Sequence, residues 1–120
     1  MIRHIPIKYT DEMLLKELEE FKDKFDCVYL PYDFENQGNR GYAFINFVHP
    51  FHILLFYEKF EGKTWNFFDS RKICKLNSAK YQGIYEIKRH AKNYKSEKKP
   101  NFFIISDTMA NIEFPMVFLY

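Results

Sequence analysis

The chain has only two cysteines in 120 residues, Cys27 and Cys74, and no C-x-x-C spacing. That excludes a disulfide scaffold and a cysteine-rich zinc module. Four glycines and five prolines are too few for a collagen-like chain, and 47% hydrophobic residues are too many for a disordered one. No apolar run reaches the roughly 18–20 residues that span a bilayer. The start, Met1-Ile2-Arg3-His4, leads into no apolar stretch of the kind a signal peptide needs. The expectation is one soluble intracellular domain, nuclear or cytoplasmic, with no membrane attachment.

Catalytic patterns are missing as well. His4, His49, His52 and His90 are scattered, and His49 with His52 lacks further metal ligands. Asp33 and Glu35 sit in a polar loop with nothing to build a cleft around them. No nucleophile–base signature occurs. No enzyme activity, metal or cofactor is expected.

Two properties are present in excess. Aromatic residues reach 20%, with 14 Phe and 9 Tyr. A core of this size does not need them all, so some rings are expected at the surface, where rings usually bind something. The net charge of +2 is unevenly spread. Residues 10–35 hold nine acids against three lysines, and residues 80–99 hold seven Lys or Arg against two Glu.

Hydrophobic patterning gives the element order. Ile2 to Ile7 reads as a strand ending around Pro6. Thr10 caps a helix with Asp11 and Glu12 in its first turn, and Leu14, Leu18, Phe21 and Phe25 form its apolar stripe. Glu17, Glu19 and Glu20 fall on its polar side. Cys27 to Leu30 is a second strand, followed by a polar loop from Asp33 to Arg40. Gly41 to Val48 is the third and strongest strand. His49-Pro50 opens a second helix with Ile53, Tyr57 and Phe60 as its stripe, Leu54 beside it, and Gly62 at its end. Lys63 to Lys72 is a loop carrying Trp65, expected to pack on the domain. Ile73 to Tyr81 reads as a fourth strand. Ile84, Ile87, Ala91 and Tyr94 predict a third, basic helix ended by Pro100. This is the α+β, ferredoxin-like β-α-β-β-α-β order: a four-stranded antiparallel sheet, two helices on one face, and an extra C-terminal helix. Acylphosphatases share that order, but the segment after the first strand here, Pro6-Ile7-Lys8-Tyr9, lacks their phosphate-cradling glycines.

The third strand reads Arg40-Gly41-Tyr42-Ala43-Phe44-Ile45-Asn46-Phe47. It fits the signature K/R-G-F/Y-G/A-F-V-x-F/Y of the RNA recognition motif, with Ile45 standing for Val. The period of two turns Ala43, Ile45 and Phe47 toward the helices and Tyr42, Phe44 and Asn46 to the open face. Rings there are stacking platforms for unpaired bases, and Arg40 is placed to meet a phosphate. The first strand departs from the usual partner motif. Met1 stands where a stacking ring is usual, His4 replaces Asn, and Arg3 faces outward beside Met1.

The chain resembles the carboxy-terminal RNA recognition motif of the Mei-two-like family of meiosis-associated RNA-binding proteins. The carriers are Met1 to Pro6, Lys8-Tyr9-Thr10, Met13-Leu14-Leu15 with Glu17-Leu18, Tyr29-Leu30-Pro31, Asp33-Phe34, Gly41 to Phe47, and Phe60 to Trp65. Met1 is shared with that family, whereas His4 departs from its Asn. The resemblance covers about residues 1–105 and implies single-stranded RNA binding and meiotic or developmental RNA control. It also implies longer relatives with further such domains upstream, of which this chain would be a fragment or a reduced homologue.

The expected RNA-binding residues are Arg40, Tyr42, Phe44, Asn46, Met1 and Arg3, joined by Lys75, Asn77 and Tyr81 of the fourth strand and Lys88 and Arg89 of the third helix. The basic helix is expected to flank the open face; the alternative is that it packs over the sheet. The expected partner is single-stranded RNA, bound by a monomer. The competing reading is a protein-interaction module of the same fold, using Trp65, the helix stripes and the apolar tail Phe114 to Tyr120. Expected boundaries are 1–82 for the motif core, 83–107 for the helix and a segment docking through Phe102 to Ile105, and 108–120 for a loosely held tail.

Overall fold

Ile2–Arg3 forms β1, shorter than the run to Ile7 predicts. His4 ends it by taking φ 64°, a left-handed position that Asn and His tolerate better than most side chains. The position where the sequence departs from the motif it resembles is therefore a turn position. In this computed structural model the described residues are 1–80, 82, 83, 85–87 and 89, with the backbone of 101–103. Tyr81, Lys88, Ile84, the expected helix beyond Arg89, Ile104, Ile105 and the tail 108–120 lie outside them.

Thr10 caps α1 (Asp11–Glu17), its hydroxyl accepting from the Met13 amide at 3.2 Å. The helix is shorter than its stripe implied. Leu18 leaves α geometry, a 3-10 turn follows over Glu19–Phe21, and Phe25 opens the next strand. The stripe seemed continuous because both elements bury the same core.

β2 spans Phe25–Leu30, and β5 spans Tyr42–Phe47. Between them the expected polar loop folds into a small hairpin, β3 (Tyr32–Asp33) with β4 (Gly38–Asn39). The Asp33 carboxylate holds its turn by accepting from the Glu35 and Asn36 amides and from Asn36 Nδ2. Gly38 is obligatory in this packing: a Cβ there would lie 2.5 Å from the Ile7 carbonyl oxygen.

α2 is Phe51–Phe60, with the His49 imidazole accepting from the Phe51 amide at 3.0 Å. Its buried residues are Phe56 and Phe60, not the expected Ile53–Tyr57–Phe60 stripe; Ile53, Leu54 and Tyr57 are exposed. A helix apolar on nearly every side has no single period, so the packing partner decides. Phe56 and Phe60 stack at 4.5 Å, and both meet Phe21 edge-on at 5.2 and 5.9 Å. Much of the aromatic surplus is thus the core itself.

β6 is only Lys75–Leu76, because its partner β1 is equally short and Ile73 pairs with Thr64 instead. Helical backbone follows at Gly83, Tyr85–Ile87 and Arg89. β7, Asn101–Phe103, then docks antiparallel on β2, with Phe102 opposite Tyr29. The sheet order is β6-β1-β5-β2-β7, antiparallel throughout. Both cysteines are buried, and neither forms a disulfide. Burial, then the nearby Glu61 carboxylate, pushes the Cys74 thiol up to about 12.

Two buried polar residues tie the loops together. Asn39 donates to the Pro6 and Tyr9 carbonyls at 2.9 and 3.0 Å and accepts from the Gly41 amide at 2.6 Å. Glu17, expected on a solvated face, has a fully buried side chain. It accepts from Tyr9 Oη at 2.5 Å, Lys63 Nζ and Asn66 Nδ2 at 2.6 Å, and the Asn66 amide at 3.2 Å. Trp65 packs in this loop against Tyr9, ring centroids 5.4 Å apart, as its expected role in the domain requires.

Glu17→Ala takes the acceptor from a half-buried ammonium and three further donors, so it is expected to cost about 3–5 kcal/mol in urea denaturation. Asn39→Ala should cost about 2–4 kcal/mol. Asn39→Asp should be worse, since a carboxylate would face two carbonyl oxygens.

Candidate functional site

Alternation along β5 puts Tyr42, Phe44 and Asn46 on the sheet face away from α1 and α2, opposite Ala43 in the helix-side core. The three positions differ sharply in access. Tyr42 is half-buried. Phe44 is 3% exposed, a correction to its expected role as an open platform. Its ring lies parallel to Tyr29 at 6.3 Å and receives Tyr42 edge-on at 5.7 Å. Tyr29 and Cys27 of β2 are fully buried too, yet neither they nor Phe44 belong to the helix-side core. Ile87, 1% exposed, in the helical backbone after β6, is likewise buried outside that core. The outer face therefore carries an apolar layer of its own, and its centre is not open as the sequence predicts.

Asn46 is also engaged. A β-bulge between Phe25 and Cys27 inserts Asp26 into the ladder. Asn46 Nδ2 donates to its Oδ1 at 3.0 Å. Burial raises the Asp26 carboxyl above its ordinary range, partly offset by this bond. An acid at this corner opposes phosphate, and it already engages one N–H of the Asn46 amide.

The opposite end of β5 has the reverse character. Arg3 donates to Asn77 Oδ1 at 3.2 Å, and the Asn77 backbone pairs with Met1 in both directions. Arg40 is exposed at the entrance to the strand and lowers the pKa of Asp33 electrostatically, behind that residue's own hydrogen bonds. With Tyr42 these residues line a groove of about 840 Å³. His4, Arg71, Lys72, Ile73 and Ser78 complete its wall. Among the described residues, four side-chain cations line it and no carboxylate does.

The structure thus brings together Met1, Arg3, Arg40, Tyr42 and Asn77 from the expected set. Lys75 stands apart at the sheet edge, 3.3 Å from Glu61. Arg89 is exposed and ion-paired to Glu86 at 3.2 Å. Tyr81 and Lys88 lie outside the described residues. Sequence reasoning missed Arg71 and Lys72, read only as loop, and Asn39, whose amide fixes the strand entrance at Arg40-Gly41. Asn39 immediately precedes the signature, which was the available signal.

Comparison with known proteins gives the family. Residues 1–92 match the family model RNA recognition motif 2. Over 94 residues, 78% of the chain, it is 48% identical to Protein MEI2-like 2 of Oryza sativa subsp. japonica, covering 11% of that protein. It is 45% identical over 94 residues to Protein MEI2-like 4 of Arabidopsis thaliana, again 78% of the chain and 10% of the relative. The chain spans about a tenth of the length of the curated relatives it matches. Its sheet order, its β5 signature and these similarities place the chain in the RNA recognition motif family, among the MEI2-like proteins.

Proposed function

We propose that the chain binds single-stranded RNA, without catalysis, through the basic end of its outer face. The observation that carries this is the half-exposed Tyr42 ring between Arg3 and Arg40 in a groove where no described residue contributes a carboxylate. A ring with an accessible face stacks any unpaired base, and flanking guanidinium groups neutralise the adjoining phosphates. Only one ring of the signature has this access, so affinity rests on few stacked bases and more on charge. Family membership supports RNA binding in general. A monomer working in the nucleus or cytoplasm, in RNA regulation linked to meiosis or development, is the setting proposed on the MEI2-like resemblance.

One observation favours a second reading, protein docking. α2 exposes Phe51, Ile53, Leu54, Leu55 and Tyr57 together, with Val48 just before it. Trp65, formerly a candidate anchor for that reading, is buried. A mobility-shift assay with a random single-stranded RNA pool at low salt separates the two; retention of RNA supports the first, and none supports the second.

Tyr42→Ala is expected to weaken RNA binding by about 5- to 150-fold, the range for one stacked base, with little change in melting temperature. Phe44→Ala should act mainly on stability, at about 3–5 kcal/mol for a buried Phe. Equal affinity losses from both, in folded proteins, would return Phe44 to the binding surface.

A further inference from the structure

We infer that the loop carrying Arg71 and Lys72 is a phosphate clamp that takes the RNA backbone off the sheet, next to the base on Tyr42. This rests on the RNA-binding reading and extends it to residues outside the β5 signature and β1. The groove wall brings Arg71 and Lys72 from the loop before β6 to the same depression as Arg3 of β1 and Arg40 and Tyr42 of the signature. These four cations come from three separate stretches of chain. Among the described residues no acid lines the groove; Asp69, two residues before Arg71, is not part of its wall. Such a concentration of like charge is unfavourable unless an anion offsets it.

The side chains themselves are available. Arg71 has no hydrogen bond or ion pair among the described residues, and Lys72 Nζ reaches only the Ile5 carbonyl, at 3.5 Å. Both are exposed. The loop beneath them is held firmly. The Lys72 amide donates to Ser70 Oγ at 3.1 Å, and the Ser70 amide to the Phe68 carbonyl at 2.8 Å. Upstream, the Phe67 amide donates to Tyr9 Oη, and Asn66 is bonded to the buried Glu17. Downstream, Ile73 pairs with Thr64, and its carbonyl lies 3.2 Å from His4 Nδ1. A cation pair on a braced loop loses little entropy on meeting a phosphate. The chemistry recognised is a nucleotide phosphate. It has two sources, an internal phosphodiester or a terminal phosphate.

The test measures binding of short single-stranded RNA to the full chain across a salt series. It compares the unaltered protein, Arg71→Gln with Lys72→Gln, and a control, Lys16→Gln with Lys22→Gln, which removes equal charge from the other side. The loop variant is expected to bind about 10-fold more weakly at 0.1 M salt. Its log–log salt slope should fall by about 1.4, the value for two phosphates on a single strand. The control should change neither. Unchanged affinity and slope in the loop variant, or equal losses in the control, would overturn the clamp while leaving RNA binding intact. No RNA binding by the unaltered chain would overturn both the clamp and the function beneath it. Oligonucleotides with and without a 5′ phosphate identify the source. Equal affinity for both assigns the clamp to the internal phosphodiester, and a loop-dependent preference for the phosphorylated one assigns it to the terminus.

Discussion

A single buried carboxylate organises this domain. Glu17 sits at the end of α1 with its side chain sealed from water, and its two oxygens gather a tyrosine hydroxyl, a lysine ammonium, a side-chain amide and a backbone amide. A charge in that position is tolerable only because every lone-pair direction is met. In meeting them it fixes the start of the loop after α2 to the segment after β1. Tyr9 is shared in both directions: its hydroxyl donates to Glu17 and accepts from Phe67, while its carbonyl accepts from Asn39. Asn39 in turn holds the Gly41 amide at the entrance to β5. Helix, loop and functional strand are thus joined by one connected set of polar contacts beside the aromatic core.

The outer face shows how a signature and an accessible surface part company. Local sequence decides which side of the sheet Tyr42, Phe44 and Asn46 occupy. It does not decide what else reaches that side. Here Cys27, Tyr29 and Phe44 are withdrawn from water, and a bulge supplies Asp26 to Asn46. The face is divided into an apolar middle, an acidic corner and a basic end, and only the last retains a ring with polar cationic neighbours.

Much of the fold was legible because its signals are local. The Thr10 cap, the Gly62 stop at φ 80°, the strand alternation of β5 and the order of the main elements all follow from short-range chemistry. The errors came where long-range packing arbitrates. Glu17 looked like one more helix acid, since nothing nearby in sequence announces Lys63 and Asn66. Ile53 and Tyr57 fitted a stripe as well as Phe56 did, until Phe21 and Phe47 selected the ring they pack on. His4 stopped β1 through its backbone, and β6 shortened with it. For the site, the signature named the strand and two of its useful residues, Arg40 and Tyr42. Arg71 and Lys72 join them only through topology, across about thirty residues of chain.

β7 changes what counts as the unit. The family match ends at residue 92, whereas the sheet continues to Phe103. Without that last strand, β2 would present a row of unsatisfied amides and carbonyls along Val28 to Leu30, and the apolar β2 is the kind of edge that recruits strands from other molecules. The residues past the family boundary therefore act as an edge guard, and the sheet is larger than the stretch that identifies its family.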